Sequence, residues 1–254
     1  MTAKRNYLSV SALKQFAKSP NHYLAYVARK FKPTPAMAFG SALHTMVLEP
    51  HLFNERYAVQ PDVDKRTKAG KESYATFASS IGNREVLTGA QMYQLNQTHQ
   101  AVLSNEDATS LLVNCKYEQV IESPIGGVPF KGIVDALNKK SGYAIDVKTC
   151  RDASPDQFQR DAYNLGYHLQ AAAYCLLTGV DRFYWLCVES DDPHNVAVYM
   201  QSKEAQEQST FRLLELIREW SAWDGKPANY SNEIMLLEYP KWAKKWHKHR
   251  GRRL

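Results

Sequence analysis

The chain has 254 residues, 44% hydrophobic and 23% charged, a balance expected of a globular protein with a sizeable core and not of a fibrous or disordered one. No apolar run of about 18 residues occurs, so a membrane span is not expected. The opening MTAKRNYLSV lacks the apolar centre of a signal peptide, which makes the cytoplasm the default expectation. The net charge of +6 is local. Residues 241–254 hold seven Lys and Arg and no acid, so residues 1–240 are within one charge of neutral.

In chain order, residues 7–30 read as two helices. Ser9 or Ser11 is the candidate cap of the first, and Ser19-Pro20 breaks it from the second. A third helix follows Pro33 and Pro35, carries Gly40 and His44, and closes before Pro50. Residues 51–80 form a polar, basic loop leading into a helix, with Arg66, Lys68 and Lys71 at its centre. Residues 81–114 continue at helical spacing. The period then changes. β-Branched residues and turn signals at Gly126-Gly127 and at 139–142 predict a three-stranded meander over 116–123, 128–138 and 143–149. A helix over 156–178, stopped by Gly179, comes next. Two strands in RFYWLCVES and NVAVYMQS and a long amphipathic helix in KEAQEQSTFRLLELIREWSAW complete the order. This order predicts an α/β protein with a mixed sheet. A single domain over 1–240 is expected, mainly helical over 1–114 and αβ over 115–240, with a basic tail at 241–254. Cys115, Cys150, Cys175 and Cys187 share no C-x-x-C spacing and are expected to be reduced thiols, not zinc or iron–sulfur ligands.

One stretch does not read as plain structure. In KGIVDALNKKSGYAIDVKTC, Asp146 and Lys148 share one face of a strand, and ten residues, the length of a short hairpin, separate Asp135 from Asp146. Two neighbouring carboxylates repel unless a cation lies between them. The triplet is either an ion pair on a solvated edge or a centre for hydrolysing a phosphodiester. In the second case hard oxygen ligands suit Mg²⁺, and Lys148 would hold or deprotonate a water and stabilise developing charge.

The arrangement resembles the PD-(D/E)xK nuclease superfamily, with Asp135, Asp146 and Lys148 at the motif positions. YHLQAAAY adds Gln170 and Tyr174 on one helix face, as in the branch that includes the RecB nuclease domain. The segments GSALHTMVLEP, DKRTKAGKE, GIVDAL, AIDVKT, YHLQAAAY, VESDDPHNVAVY and EYPKWA, in that order, are similar to the RecE-type (exonuclease VIII) recombination exonucleases of phages and prophages. Ser19 stands where cluster-bearing members have cysteine before the proline, which argues against an iron–sulfur nuclease.

The resemblance implies a restriction-endonuclease-like core, with a central mixed sheet flanked by helices and a helical N-terminal part. It implies a Mg²⁺-dependent (Mn²⁺ substituting) 5′-to-3′ exodeoxyribonuclease on linear double-stranded DNA. The product would be a 3′ overhang, passed to a single-strand annealing protein. Asp135, Asp146, Lys148, Gln170 and Tyr174 would be catalytic, and His44, Asp135, Asp146 and the Val147 carbonyl would hold metal, with Glu118 a weaker candidate. Arg66, Lys68, Lys71, Lys244 and Lys245 would touch DNA. A homo-oligomeric ring, trimeric or tetrameric, is expected. The alternatives are a related endonuclease, the nuclease subunit of a helicase–nuclease, or an inactive DNA-binding module. No G-x-x-x-x-G-K-(S/T) occurs, so no ATP-driven motor is evident on this chain.

Overall fold

A computed structural model describes residues 6–30, 32–228, 230 and 234–238. Lys244 and Lys245, expected to contact DNA, lie outside the described residues. The N-terminal part is built from α1 (Val10–Phe16), α2 (Pro20–Ala28) and α3 (Pro35–Leu48). A one-turn 3₁₀ helix then leads into the short α4 (Phe53–Arg56), β1 (Tyr57–Val59), α5 (Lys68–Ser80), β2 (Glu85–Leu87), α6 (Gly89–Ser104) and α7 (Glu106–Leu112). Side-chain caps start most of these helices. The Ser9 and Ser19 hydroxyls accept the Ala12 and His22 amides, and Thr88 with Gln91 forms a reciprocal capping box. Each such cap contributes about 1 kcal/mol. The expected continuous helix over 81–114 is instead a strand and two helices. β1 and β2, three residues each, pair in parallel, and neither is long enough to leave a period in the sequence.

The meander forms as expected: β3 (Lys116–Ile125), β4 (Val128–Asn138) and β5 (Tyr143–Cys150) are antiparallel neighbours. A crossover through α8 (Pro155–Asn164) and α9 (Tyr167–Thr178) returns the chain to β6 (Arg182–Glu189), which pairs with β5 in parallel. Then β7 (Val196–Met200) closes the far edge antiparallel, and α10 (Lys203–Ala222) follows. The sheet order β3-β4-β5-β6-β7 is therefore mixed. The single helix expected over 156–178 is broken at Gly166, whose φ of +67° admits glycine readily. A Cβ there would also stand 2.6 Å from Lys14 Cδ.

Apolar layers cover both faces of the sheet. On one face Ala144, Phe183, Trp185 and Cys187 pack with α1, α9 and α10. On the other, Ala136, Ile145, Val147, Leu186 and Val188 pack with α3, α6 and α7. Burying each Leu, Ile or Val fully contributes about 1.5–3 kcal/mol, so β5 is clamped from both sides. Among the described residues no helix is long and apolar enough to cross a membrane.

Candidate active site

The site lies where the sheet forks. The β4–β5 ladder ends at Ala136↔Ile145, so Asp135 and Asp146, next along the two strands, face a gap in place of a backbone bond. Asp135 Oδ2 partly closes it by accepting the Val147 amide at 2.8 Å. On the other side of β4, the Asp135 position is skipped in the pairing with β3, opposite Glu118. Glu118 has φ +48°, a left-handed conformation uncommon for a non-glycine residue. The alternation of β4 slips here too. Val134 and Leu137 belong to the same core layer, and Ala136 to the opposite one. This local irregularity gathers acids from two strands.

Two linked groups result. In the first, His44 reaches from α3. A carbonyl can only accept, so His44 Nε2 donates to Val147 O, at 2.7 Å. This fixes the ring and turns Nδ1 toward two carboxylates, Asp135 Oδ2 at 3.5 Å and Glu118 Oε1 at 4.0 Å. One ligand atom from each of His44, Glu118 and Asp135 falls within 4.8 Å of the others. In the second group, Lys148 Nζ lies 2.5 Å from Asp146 Oδ2 and donates to Gln170 Oε1 at 3.1 Å. Gln170 Nε2 donates to Asp146 Oδ1 at 2.6 Å, closing the triangle. Tyr174, one turn along α9, lines the same hollow as Gln170 and Lys148. The sequence-predicted Asp135, Asp146, Lys148, Gln170, Tyr174 and His44 are thus in one place. The Val147 carbonyl accepts from His44 and orients that ring, and its second lone pair is free of that bond. Glu118, the weaker candidate, stands beside His44 and Asp135, while Asp146 is engaged by Lys148 and Gln170.

Burial and crowding set the charges. Burial pushes the Asp135 carboxyl well above the usual carboxylate range, and the Asp146 charge pushes it further, against the opposing pull of Lys148 and the Val147 amide. Burial raises Glu118 as well. Burial pulls the Lys148 ammonium down, but Asp146 and Asp135 outweigh it and the net shift is upward. Asp146 and Asp135 thus favour the charged form of Lys148, a hydrogen-bond donor. Burial and the Asp146 charge push Tyr174 up to about 12, so its hydroxyl stays neutral.

These residues suit a divalent cation. An imidazole nitrogen and two carboxylates face one small space, and burial, with the neighbouring acids adding to it, holds both carboxyls above their usual range. His44, Glu118 and Asp135 would hold the ion, with Asp146 able to join from across the fork. Bound there, a divalent metal would supply Lewis acidity toward a phosphate and acidify a water. The chain's own part would be to orient Lys148 toward the same phosphate through Asp146 and Gln170.

Two contacting residues escaped the sequence reading. The Lys148 ammonium sits 4.5 Å over the Tyr167 ring. Lys14 of α1 approaches the same ring at 5.8 Å, and burial followed by the Lys148 charge lowers its pKa to about 8. A signal for Tyr167 existed: it lies one turn before Gln170. Arg66, Lys68 and Lys71 sit exposed at the start of α5, with Arg66 held in a bidentate pair by Asp64, and they make none of the bonds that tie the site together. A Cβ at Gly40 would meet Thr149 Oγ1 at 3.4 Å, an ordinary contact, so Gly40 marks where α3 nears β5 without being needed for room. Glu189 is structural: it accepts the Ala153 and Asn195 amides.

Gly132 of β4 is needed for close approach. An alanine Cβ would lie 2.7 Å from Tyr174 Cε1 and 3.1 Å from Leu177 Cδ1. Gly132→Ala is expected to cost about 1–3 kcal/mol, read as a lower Tm, and to slow cleavage by displacing Tyr174 from Gln170. An unchanged Tm and rate would show that α9 has slack at this point.

The forked mixed sheet and its acid–lysine centre define a PD-(D/E)xK nuclease core. The profile of the family described as "PDDEXK-like domain of unknown function (DUF3799)" matches residues 9–226, and the chain belongs to that family. Among solved structures, a "Putative exonuclease" from Eubacterium rectale is 12% identical with a TM-score of 0.58, over 94% of this chain and 93% of that one. A phage related exonuclease from Haemophilus somnus 129PT is 16% identical with a TM-score of 0.37, over 71% of this chain and 91% of that one. Among proteins of curated function, none matches the sequence.

Proposed function

We propose that this protein is a Mg²⁺-dependent exodeoxyribonuclease that degrades linear double-stranded DNA from the 5′ end and leaves 3′ overhangs for strand annealing. The observation that carries the reading is the buried knot of Asp146, Lys148 and Gln170 beside the His44–Glu118–Asp135 group. The knot sets an ammonium where a phosphate oxygen would gain charge, and a divalent ion held by the ligand group would neutralise the same phosphate. The 5′ polarity, a ring-shaped homo-oligomer and a single-strand annealing partner rest on the likeness of motifs to the RecE-type exonucleases. A ring also suits the charge: with residues 1–240 near neutral, basic surface concentrated in a channel draws DNA better than a lone subunit does.

The test is a gel assay on linear duplex labelled at one end, with Mg²⁺, Mn²⁺ or Ca²⁺, and on closed circles. The expected result is Mg²⁺-dependent stepwise loss of the 5′-ended strand, with circles intact. Cut circles would make the protein an endonuclease instead, and activity persisting in Asp146→Ala would remove the mechanism.

A further inference from the structure

The turn between α8 and α9 is an unusual piece of surface. Tyr163 is 74% exposed and Leu165 52%, yet the turn is held firmly. Leu165 N donates to Asp161 O, Lys14 Nζ donates to Leu165 O at 2.8 Å, and Gly166 packs on the Lys14 stem. The Tyr163 ring stacks on His168 at 5.1 Å and 12°, so an outward aromatic face is fixed in place. Burial lowers the His168 pKa, which favours a neutral ring behind the tyrosine.

The location is as telling as the shape. Leu165 lines a hollow of about 450 Å³ that also contains Lys148. It lines a second hollow, of about 710 Å³, with Tyr163, Lys14 and Lys18. The two hollows share Leu165, so a strand that leaves a phosphate at Lys148 through it would enter a surface lined by Tyr163, Lys14 and Lys18. We propose that this turn is a stacking site for an unpaired nucleobase of the bound strand, Tyr163 and Leu165 taking the base and Lys14 and Lys18 the adjoining phosphates. Every nucleobase has a π-face, so the site is sequence-tolerant. The proposal rests on the nuclease reading, since the occupant is its substrate.

A single-stranded oligonucleotide carrying 2-aminopurine, bound with Ca²⁺ in place of Mg²⁺, separates the two. The wild type is expected to bind with quenched fluorescence. Tyr163→Ala is expected to lose the quench and to bind about ten-fold more weakly, Leu165→Ala to weaken binding less, and Tyr163→Phe to behave as wild type. Wild-type binding and quenching in both alanine variants would overturn the stacking site and leave the nuclease reading standing. A wild type that binds no DNA, with or without divalent ion, would overturn both.

Discussion

Lys148→Gln is expected to slow phosphodiester cleavage by about 10²–10⁴-fold while leaving divalent-metal binding intact. The ammonium is 18% exposed, and its partner Asp146 is 2% exposed. Deleting the side chain outright would leave a buried carboxylate without its cation and destabilise the fold. Glutamine keeps a donor for Asp146 but carries no charge, so the loss is one of electrostatics at the phosphate. The measurement is kcat on linear duplex together with the rise in Tm on adding Mg²⁺. A rate within ten-fold of wild type would show that the lysine only fills space. Loss of the metal-dependent Tm rise would show that it helps to build the metal site.

Asp135→Asn should produce an inactive protein that is more stable than the wild type in the absence of metal. The amide oxygen can still accept the Val147 N–H, so the fork stays closed, while the charge that burial and Asp146 disfavour is gone. The sign follows from the raised pKa. Below the unfolded carboxyl's pKa both states of the wild type are protonated and the substitution gains nothing. Above the raised folded pKa the wild type must bury a charge, and there the gain is full. The variant should therefore show a higher Tm than metal-free wild type at pH 8 and converge with it on acidification below about pH 4. It should also lose the Mg²⁺-induced Tm rise and more than about 100-fold in cleavage. A Tm below wild type at pH 8 would mean that the carboxylate is already compensated without metal.

The candidate active site was more legible in the sequence than its surroundings. Asp146 and Lys148 could be placed on one face because strand alternation is strict in β5, and Gln170 and Tyr174 because i,i+4 spacing is strict in α9. Glu118 was harder to place. Its position beside His44 depends on a left-handed backbone at +48°, which residue type does not announce. The break at Gly166 was missed because apolar spacing continues across it, and a lone glycine is tolerated inside helices. Tyr167 reads as core packing until the lysine above its ring is seen. The contact from Lys14 to Leu165 joins residues 151 positions apart, a separation no local pattern encodes.

The bond from His44 to Val147 joins residues 103 positions apart and seats α3 against the centre of the sheet. An ion shared by His44 and Asp135 would therefore act as a rivet between two regions of chain that fold from separate local sequences. Ion affinity and the seating of α3 are then one free energy measured from two directions. Starved of divalent ions, the protein should let α3 lift away as a sub-global opening while the strands remain shut, and its amide hydrogens should exchange with solvent deuterium faster than those of β5. Restoring the ion should slow that exchange in step with its concentration, which makes α3 a built-in reporter of occupancy that needs no DNA.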